Sequence, residues 1–294
     1  MKIREMLKLA IPIISMAVLY SCTSNEQNKD DMKLSHEEVV DSLMYYRHGK
    51  LKTDFLARRF PDLGRDEAAG MQLDMLQREL TSGETLAGWK MGGTVGDSTS
   101  FDPIMGFMLK KDEHHSGDVI SISEFPGREI MIEGEVGFVF NRDFPEGVES
   151  IEALKEGIDY VVGAVEFAQS NAKGVNGDSN SLITNHVLAF GTGQVGYLLG
   201  EKQVSLSELD LENETVECFV NDQSAAIGGS SNIYMGHLNA LYALVNLLPK
   251  YKQMIKEGEV VITGSMYKNP TITSASEISL HFKTLGDISL SIVD

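Results

Sequence analysis

From residue 118 onward the chain is cut into short apolar runs, at 118–122, 129–140, 160–168, 186–199, 215–221, 258–265 and 277–293, with Gly, Asn, Asp and Pro between them. Runs of this length, alternating or continuous and closed by turn formers, read as β-strands. Ahead of them the period is helical. Ser35 and Glu38 form a capping box, and Val39, Val40, Leu43 and Met44 recur at helical spacing, which predicts a first helix. A second is predicted over 66–80, stopping before Ser82-Gly83. Two helices interrupt the strands: one from Ser150 to about Asp159, and one from Leu238 to Leu248, where Leu238, Leu241, Tyr242, Val245 and Leu248 mark one face and Pro249 ends it. The expected fold class is α+β, with an N-terminal helical layer and a mixed sheet. At 294 residues and 42% hydrophobic the chain can bury a substantial core, and residues 34–294 read as one folded unit.

The charge balance excludes one class of partner. Forty-three acidic residues against 25 basic leave a net charge of −18, and no run of five Lys/Arg offsets it locally, so a phosphate backbone would be repelled. Small molecules are the expected partners, and not nucleic acid. The two cysteines, Cys22 and Cys218, cannot form a disulfide scaffold and show no metal-binding spacing; Cys218 reads as a buried strand thiol.

The first 21 residues read as an address. Lys2, Arg4 and Lys8 precede an apolar stretch from Leu9 to Leu19 that is too short to span a bilayer, as in a signal peptide. Leu19-Tyr20-Ser21-Cys22 then resembles the bacterial lipobox, in which the cysteine is lipidated, although Tyr20 is larger than that motif usually carries. An ordinary signal peptide with a chance cysteine is the alternative. Residues 23–33 are polar and aperiodic, the pattern of a flexible tether. The implied location is an exported, membrane-anchored bacterial lipoprotein on the periplasmic or cell-surface face. The strongly acidic body would touch the membrane only through its lipid.

Carboxylates in apolar strands carry the chemical signal. In Glu129–Phe140 a period of two puts Glu133 and Glu135 on one strand face, about 7 Å apart along the backbone. Ile132, Val136 and Phe138 surround them, and Gly134 leaves room for close approach. Glu166 sits alone in the apolar run Val161–Ala168. A buried carboxylate needs a cation, a proton or a basic partner. Three of them without nearby His or Cys suit a hard, oxygen-preferring ion, Mg²⁺ or Mn²⁺. The plainer alternatives are a solvated Glu-x-Glu face and a structural salt bridge. Lys90, among small and apolar residues in Leu86–Thr94, is either ion-paired or shifted in pKa, or it snorkels from a strand. Gly191-Thr-Gly-Gln-Val-Gly196 matches a dinucleotide fingerprint, but no helix is expected to open at that turn, so the match is set aside.

Taken in order, Lys90-Met-Gly-Gly-Thr94, Pro103-Ile-Met-Gly106, Ile132-Glu-Gly-Glu-Val-Gly-Phe-Val139, Val165-Glu166 and Gly258-Glu-Val-Val-Ile-Thr-Gly-Ser265 resemble the 2-keto-4-pentenoate hydratase family of the fumarylacetoacetate hydrolase superfamily. The resemblance spans most of residues 37–292. It implies a mixed β-roll, a Mg²⁺ site on Glu133, Glu135 and Glu166, Lys90 in the catalytic pocket, and Thr94 and Ser265 as substrate-binding positions. The implied reaction is that of a metal-dependent hydratase or lyase acting on a small 2-oxo acid through a stabilised enolate, with a decarboxylase or carbon–carbon hydrolase as related activities. There are departures from the family pattern. Where the family resembles Glu-x-x-Asp-Ser-Arg, this chain has Glu166-Phe-Ala-Gln-Ser-Asn171, and a Gly-x-Pro segment appears as Gly236-His-Leu238. His186 and His237 are candidates to supply the proton transfer, with a satisfied structural histidine as the alternative for each. An exported homologue that kept fold and metal but lost turnover, a lipid-anchored binding protein, is the other functional reading. Helix 238–248 can serve core or a homo-oligomer contact, and core is the default.

Overall fold

A computed structural model describes residues 34–49, 51–95, 103–169, 171–175 and 177–294. The expectations for residues 1–33, namely the signal peptide, Cys22 and the tether, lie outside the described residues. Residues His36–Asp294 form one compact unit, and among the described residues no helix is long and apolar enough to cross a membrane.

Three helices come first: α1 (His36–His48), α2 (Phe55–Arg59) and α3 (Arg65–Thr81). The strands are β1 (Leu86–Gly92), β2 (Ile104–Leu109), β3 (Glu113–His114), β4 (Val119–Ser121), β5 (Ile130–Phe140), β6 (Ile158–Ala168), β7 (Gln194–Leu199), β8 (Thr215–Val220), β9 (Gln223–Gly229), β10 (Val260–Ile262), β11 (Thr271–Ile272), β12 (Ser276–Phe282) and β13 (Gly286–Val293). Helices α4 (Ile151–Glu156), α5 (Asn180–Ala189) and α6 (His237–Leu247) fall between them. The class is α+β. One eight-stranded sheet runs β2-β1-β10-β5-β6-β7-β3, with β11 on β5, and a five-stranded sheet runs β4-β13-β12-β8-β9. Pairing is mixed: β1 lies parallel to β10, whereas β10, β5, β6 and β7 alternate antiparallel.

The larger sheet has two dissimilar faces, because the side-chain period of a strand is two. One face carries Ala87, Met108, Val139, Ala164, Tyr197, Val260 and Ile262, a single buried apolar cluster that fills the inside of the curl. The other face is covered. A Cβ at Gly134 would meet Leu280 of β12, and one at Gly163 would meet the Phe282 ring, so the five-stranded sheet stacks directly behind β5 and β6. The helical layer backs β2. Gln72 of α3 donates to Met105 O and Leu188 O, both at 3.0 Å, while the Arg47 guanidinium of α1 lies 4.5 Å from the Phe107 ring centroid and donates to Phe190 O.

The expected helices over 66–80 and 150–159 exist, the second shortened because β6 already begins at Ile158. Two readings need correction. The apolar run 186–199 is not one strand: α5 occupies its first part and β7 its second. Helix α5, rich in Ser, Thr, Asn and β-branched residues of weak helix propensity, is started by Ser179, whose side chain accepts from Leu182 N, and Gln72 of α3 anchors its end. As expected, α6 stops just before Pro249, which sits in the first turn of a 3-10 segment, Leu248–Tyr251, where its missing N–H costs nothing. Finally, the run 258–265 contributes only the short β10, and its last residues turn away into the loop that leads to β11.

The strand that carries the two glutamates is therefore sealed from behind. An ideal Cβ at Gly134 falls 2.7 Å from Tyr267 Cε1 and 3.1 Å from Leu280 Cδ2. Gly134→Ala is expected to destabilise the protein by about 1–3 kcal/mol, as overpacking does, measured as a lower urea midpoint at unchanged slope. An unaltered midpoint would show that the two sheets are not in close contact there.

Candidate metal centre

Residue register brings the three glutamates together. In the β5–β6 pair Glu133 is the Cα partner of Glu166, and Glu135 that of Ala164, so all three carboxylates project from one face, the inside of the curl. Lys90 joins them by curvature. It is partnered with Ile262, which is partnered with Gly137, so Lys90 shares their face but stands three strands from β6. On a flat sheet that separation would be about 14 Å, beyond the combined reach of the two side chains. Its Nζ nevertheless lies 2.9 Å from Glu166 Oε1. The sheet has curled until its strands face one another.

Glu135 and Glu166 are fully buried and Lys90 nearly so, while Glu133 reaches the wall of a cavity of about 820 Å³. One oxygen from each glutamate lies within 4.8 Å of the others. Two ligands are oriented by the loop after β10. Gly264 N–H donates to Glu135 Oε2 at 2.7 Å, and Asn269 Nδ2 donates to Glu133 Oε1 at 2.7 Å. Beyond the Lys90 ion pair, both oxygens of Glu166 and Oε1 of Glu135 lack a hydrogen-bond partner among the described residues. Buried, unpaired carboxylate oxygens are costly. An all-oxygen donor set with free lone pairs fits a hard divalent cation.

The electrostatics agree with that fit. Burial, then the charge of Glu166, pushes the Glu133 carboxyl up to about 8 against the pull of Lys90. Burial, followed by Glu166 and Glu133, holds Glu135 well above the carboxylate range, with Lys90 and Gly264 N–H opposing. Glu166 is raised by burial and restrained by Lys90. Burial alone would lower Lys90, but the carboxylates, Glu166 first, outweigh it and keep the ammonium charged. Three carboxylates facing one ammonium leave an excess of negative charge that protons or a cation must neutralise.

The remaining expected site residues are placed differently. Thr94 and Ser265 line the cavity, with their hydroxyl protons engaged by protein: Thr94 donates to Thr263 O at 2.9 Å, and Ser265 to Asn269 Oδ1 at 2.6 Å and Tyr267 O at 3.1 Å. His186 and His237 do not reach the cavity, which corrects their assignment as proton-transfer candidates. His186 faces Phe60 O at 3.3 Å beneath α2. His237 has both ring nitrogens engaged, Nδ1 with Thr263 Oγ1 at 2.7 Å and Nε2 with Ser230 Oγ at 3.0 Å, and burial lowers its pKa to about 4, so it is a neutral structural histidine. The departures at Gln169 and Asn171 serve the backbone: Gln169 donates to Glu129 O, and Asn171 to Tyr46 O and Leu51 O. Sequence reasoning missed Asn269 and the Gly264 N–H. Gly264 lay in a quoted motif, but nothing marks a backbone donor or a loop asparagine before the loop has folded.

No family model matches the chain. It is 24% identical over 256 residues to 2-keto-4-pentenoate hydratase of Paraburkholderia xenovorans (strain LB400), covering 86% of this chain and 93% of that one. This chain is a distant relative of the 2-keto-4-pentenoate hydratases. Its fold is that of 4-oxalocrotonate decarboxylase from Pseudomonas putida G7, a structure complexed with magnesium and adipate, at TM-score 0.79 and 21% identity over 90% of this chain and 100% of the other. More remotely it matches fumarylacetoacetate hydrolase from Exiguobacterium antarcticum, at TM-score 0.54 and 13% identity over 71% and 76% of the two chains. The fold is thus fumarylacetoacetate hydrolase-like, as the motifs implied.

The raised carboxyl pKa values fix a sign for the pH dependence of this hydratase relative. Glu133 is protonated more readily in the metal-free fold than in the unfolded chain, so its contribution to stability is full below about pH 4.5 and lost as pH rises through about 8. A bound cation reverses the preference, because it needs the carboxylates ionised. The rise in melting temperature on adding Mg²⁺, relative to EDTA, is therefore expected to grow between about pH 5 and pH 8. Equal shifts at both ends would contradict the placement of ionisable ligands at the ion.

Proposed function

We propose that this protein is a divalent-metal-dependent hydratase or related lyase acting on a small 2-oxo acid. The observation that carries the reading is the convergence of Glu133, Glu135 and Glu166 on one point, beside a charged Lys90, next to a cavity whose wall Glu133 and Lys90 reach. The kinship with hydratases supports the same reaction class.

Glu133, Glu135 and Glu166 would hold the ion, Mg²⁺ or Mn²⁺. A bound divalent cation supplies a positive charge that favours the enolate form of a 2-oxo acid. Lys90, kept as an ammonium by its three acidic neighbours, orients the anionic end of the substrate and holds a proton beside the developing charge. The burial of Glu135 and Glu166 excludes water from the inner end of the site, which strengthens each of these interactions. A proton is moved at C3 or C5 of the conjugated acid, and water adds to the system so formed. Met91, Ile104 and Val187 on the cavity wall suit the hydrocarbon part of such a substrate.

The test is loss of the ultraviolet chromophore of 2-hydroxypenta-2,4-dienoate, with a 2-oxo-dicarboxylate run in parallel for decarboxylation. Glu133→Ala and Lys90→Ala are each expected to lower kcat by about 10²-fold or more. Metal binding without consumption of any 2-oxo acid would overturn the catalytic reading. For its location we propose export and lipidation at Cys22, on the strength of the basic start, the apolar stretch and Leu19-Tyr20-Ser21-Cys22. Incorporation of labelled fatty acid that Cys22→Ser abolishes is the expected result; an unlabelled wild-type protein would refute it.

A further inference from the structure

The cavity beside the metal centre has a charge balance opposite to that of the chain. Acids outnumber bases 43 to 25 in the sequence, yet the described cavity wall holds two lysines, Lys90 and Lys268, against one acid, Glu133. Two of these three groups are already engaged. Glu133 is one of the three converging carboxylates, and Lys90 pairs with Glu166. With a divalent cation in place, three carboxylates, one ammonium and the ion cancel. The charge left on the wall is then that of Lys268.

Lys268 is exposed, and among the described residues no acid pairs with its Nζ and no hydrogen bond engages it. The loop that carries it is held on both sides. Tyr267 before it is buried against Gly134 of β5, and Asn269 after it donates to Glu133 Oε1 at 2.7 Å. The segment Ser230–Asn232 is tied to the same loop, since Met266 O accepts from Gly229 N–H at 3.0 Å and from the Asn232 amide. Ser231 and Asn232, both exposed, line the cavity beside that loop. The wall therefore carries one ammonium at depth, on the buried Lys90, and a second toward solvent, on Lys268, with polar neighbours at the second.

The size of the cavity agrees with an occupant that reaches both. About 820 Å³ is toward the upper end of the range for small-molecule sites, more than a five-carbon acid needs.

We propose that the cavity takes a 2-oxo acid with a second carboxylate at its far end, a 2-oxo dicarboxylate, and that Lys268 selects it by pairing with that second group. The proposal rests on the functional reading above, in which the 2-oxo end lies at the metal centre. A loaded centre of no net charge answers one carboxylate, and a second would otherwise meet a protein of net charge −18 uncompensated. An unpaired ammonium meets that need with a charge-assisted hydrogen bond. Lysine suits the position because its flexible stem and three donors can follow a terminal carboxylate that is held only at its other end.

The test is calorimetric titration of the full chain with Mg²⁺ and then, at saturating Mg²⁺, with 2-oxoadipate or 2-oxohexanoate, which share a chain length and differ in the terminal carboxylate. The wild type is expected to bind 2-oxoadipate about fivefold or more tighter than 2-oxohexanoate. Lys268→Met is expected to abolish that preference while leaving the affinities for Mg²⁺ and 2-oxohexanoate within about twofold, and Lys268→Arg to keep it. Because the side chain is exposed, both variants are expected to melt close to the wild type. Equal affinity of the wild type for the two acids, or a preference that survives Lys268→Met, would overturn the proposal and leave the functional reading intact. Failure of the wild type to bind either acid with Mg²⁺ would overturn both.

Discussion

Three carboxylates and one ammonium buried on the inner face of a curled sheet form the constraint to which the rest of the molecule answers. When all four groups are ionised the acids outnumber the base, and their surroundings offer few donors: one backbone N–H to Glu135, one asparagine amide to Glu133, and only the Lys90 ion pair for Glu166. Such a group of side chains is stable either partly protonated or around a cation. The upward shifts of all three carboxyls express the first state, and the unpaired oxygens that face one another are suited to the second.

The architecture supplies what this arrangement needs. Pairing of β5 with β6 sets Glu133 opposite Glu166, and curling of the sheet carries Lys90 across to them. The five-stranded sheet packs behind Gly134 and Gly163, so the ligand-bearing strands β5 and β6 cannot relax outward, and the helical layer packs behind β2. The loop from Thr263 to Asn269 then closes the near side. Its two donors orient Glu135 and Glu133, and His237 and Ser230 brace it from the far side through Thr263. His237 is thus a structural tie, a role in which a neutral imidazole serves better than a charged one.

The chain is 24% identical to a named hydratase over 86% of its length. Gln169 and Asn171, which stand where the family pattern has an acid and a base, are spent on backbone carbonyls of neighbouring loops. The polar character of the cavity wall comes instead from Lys90, Thr192, Asn269 and neighbouring loop residues. Loops change more readily than the sheet because they carry less of the core, and they are where specificity is expected to diverge.

Local pattern made several features legible. A period of two in residues 129–140 puts Glu133 and Glu135 on one face, the apolar setting of Glu166 and Lys90 calls for charged partners, and capping residues with helical spacing mark α1 and α3, because each of these signals is complete within a dozen residues. Helix α5 was not legible, since its residues favour a helix weakly and packing against α3 decides the matter; nor were the true settings of His186 and His237, since the same residue type serves catalysis or structure according to the atoms that surround it. The sequence by itself determined which side chains carry charge into the interior and which strand faces they occupy. Only the tertiary structure decided that Lys90 meets Glu166 and that Gly264 and Asn269 orient the acids, because those contacts depend on strand order, register and curl, which join residues up to 136 positions apart.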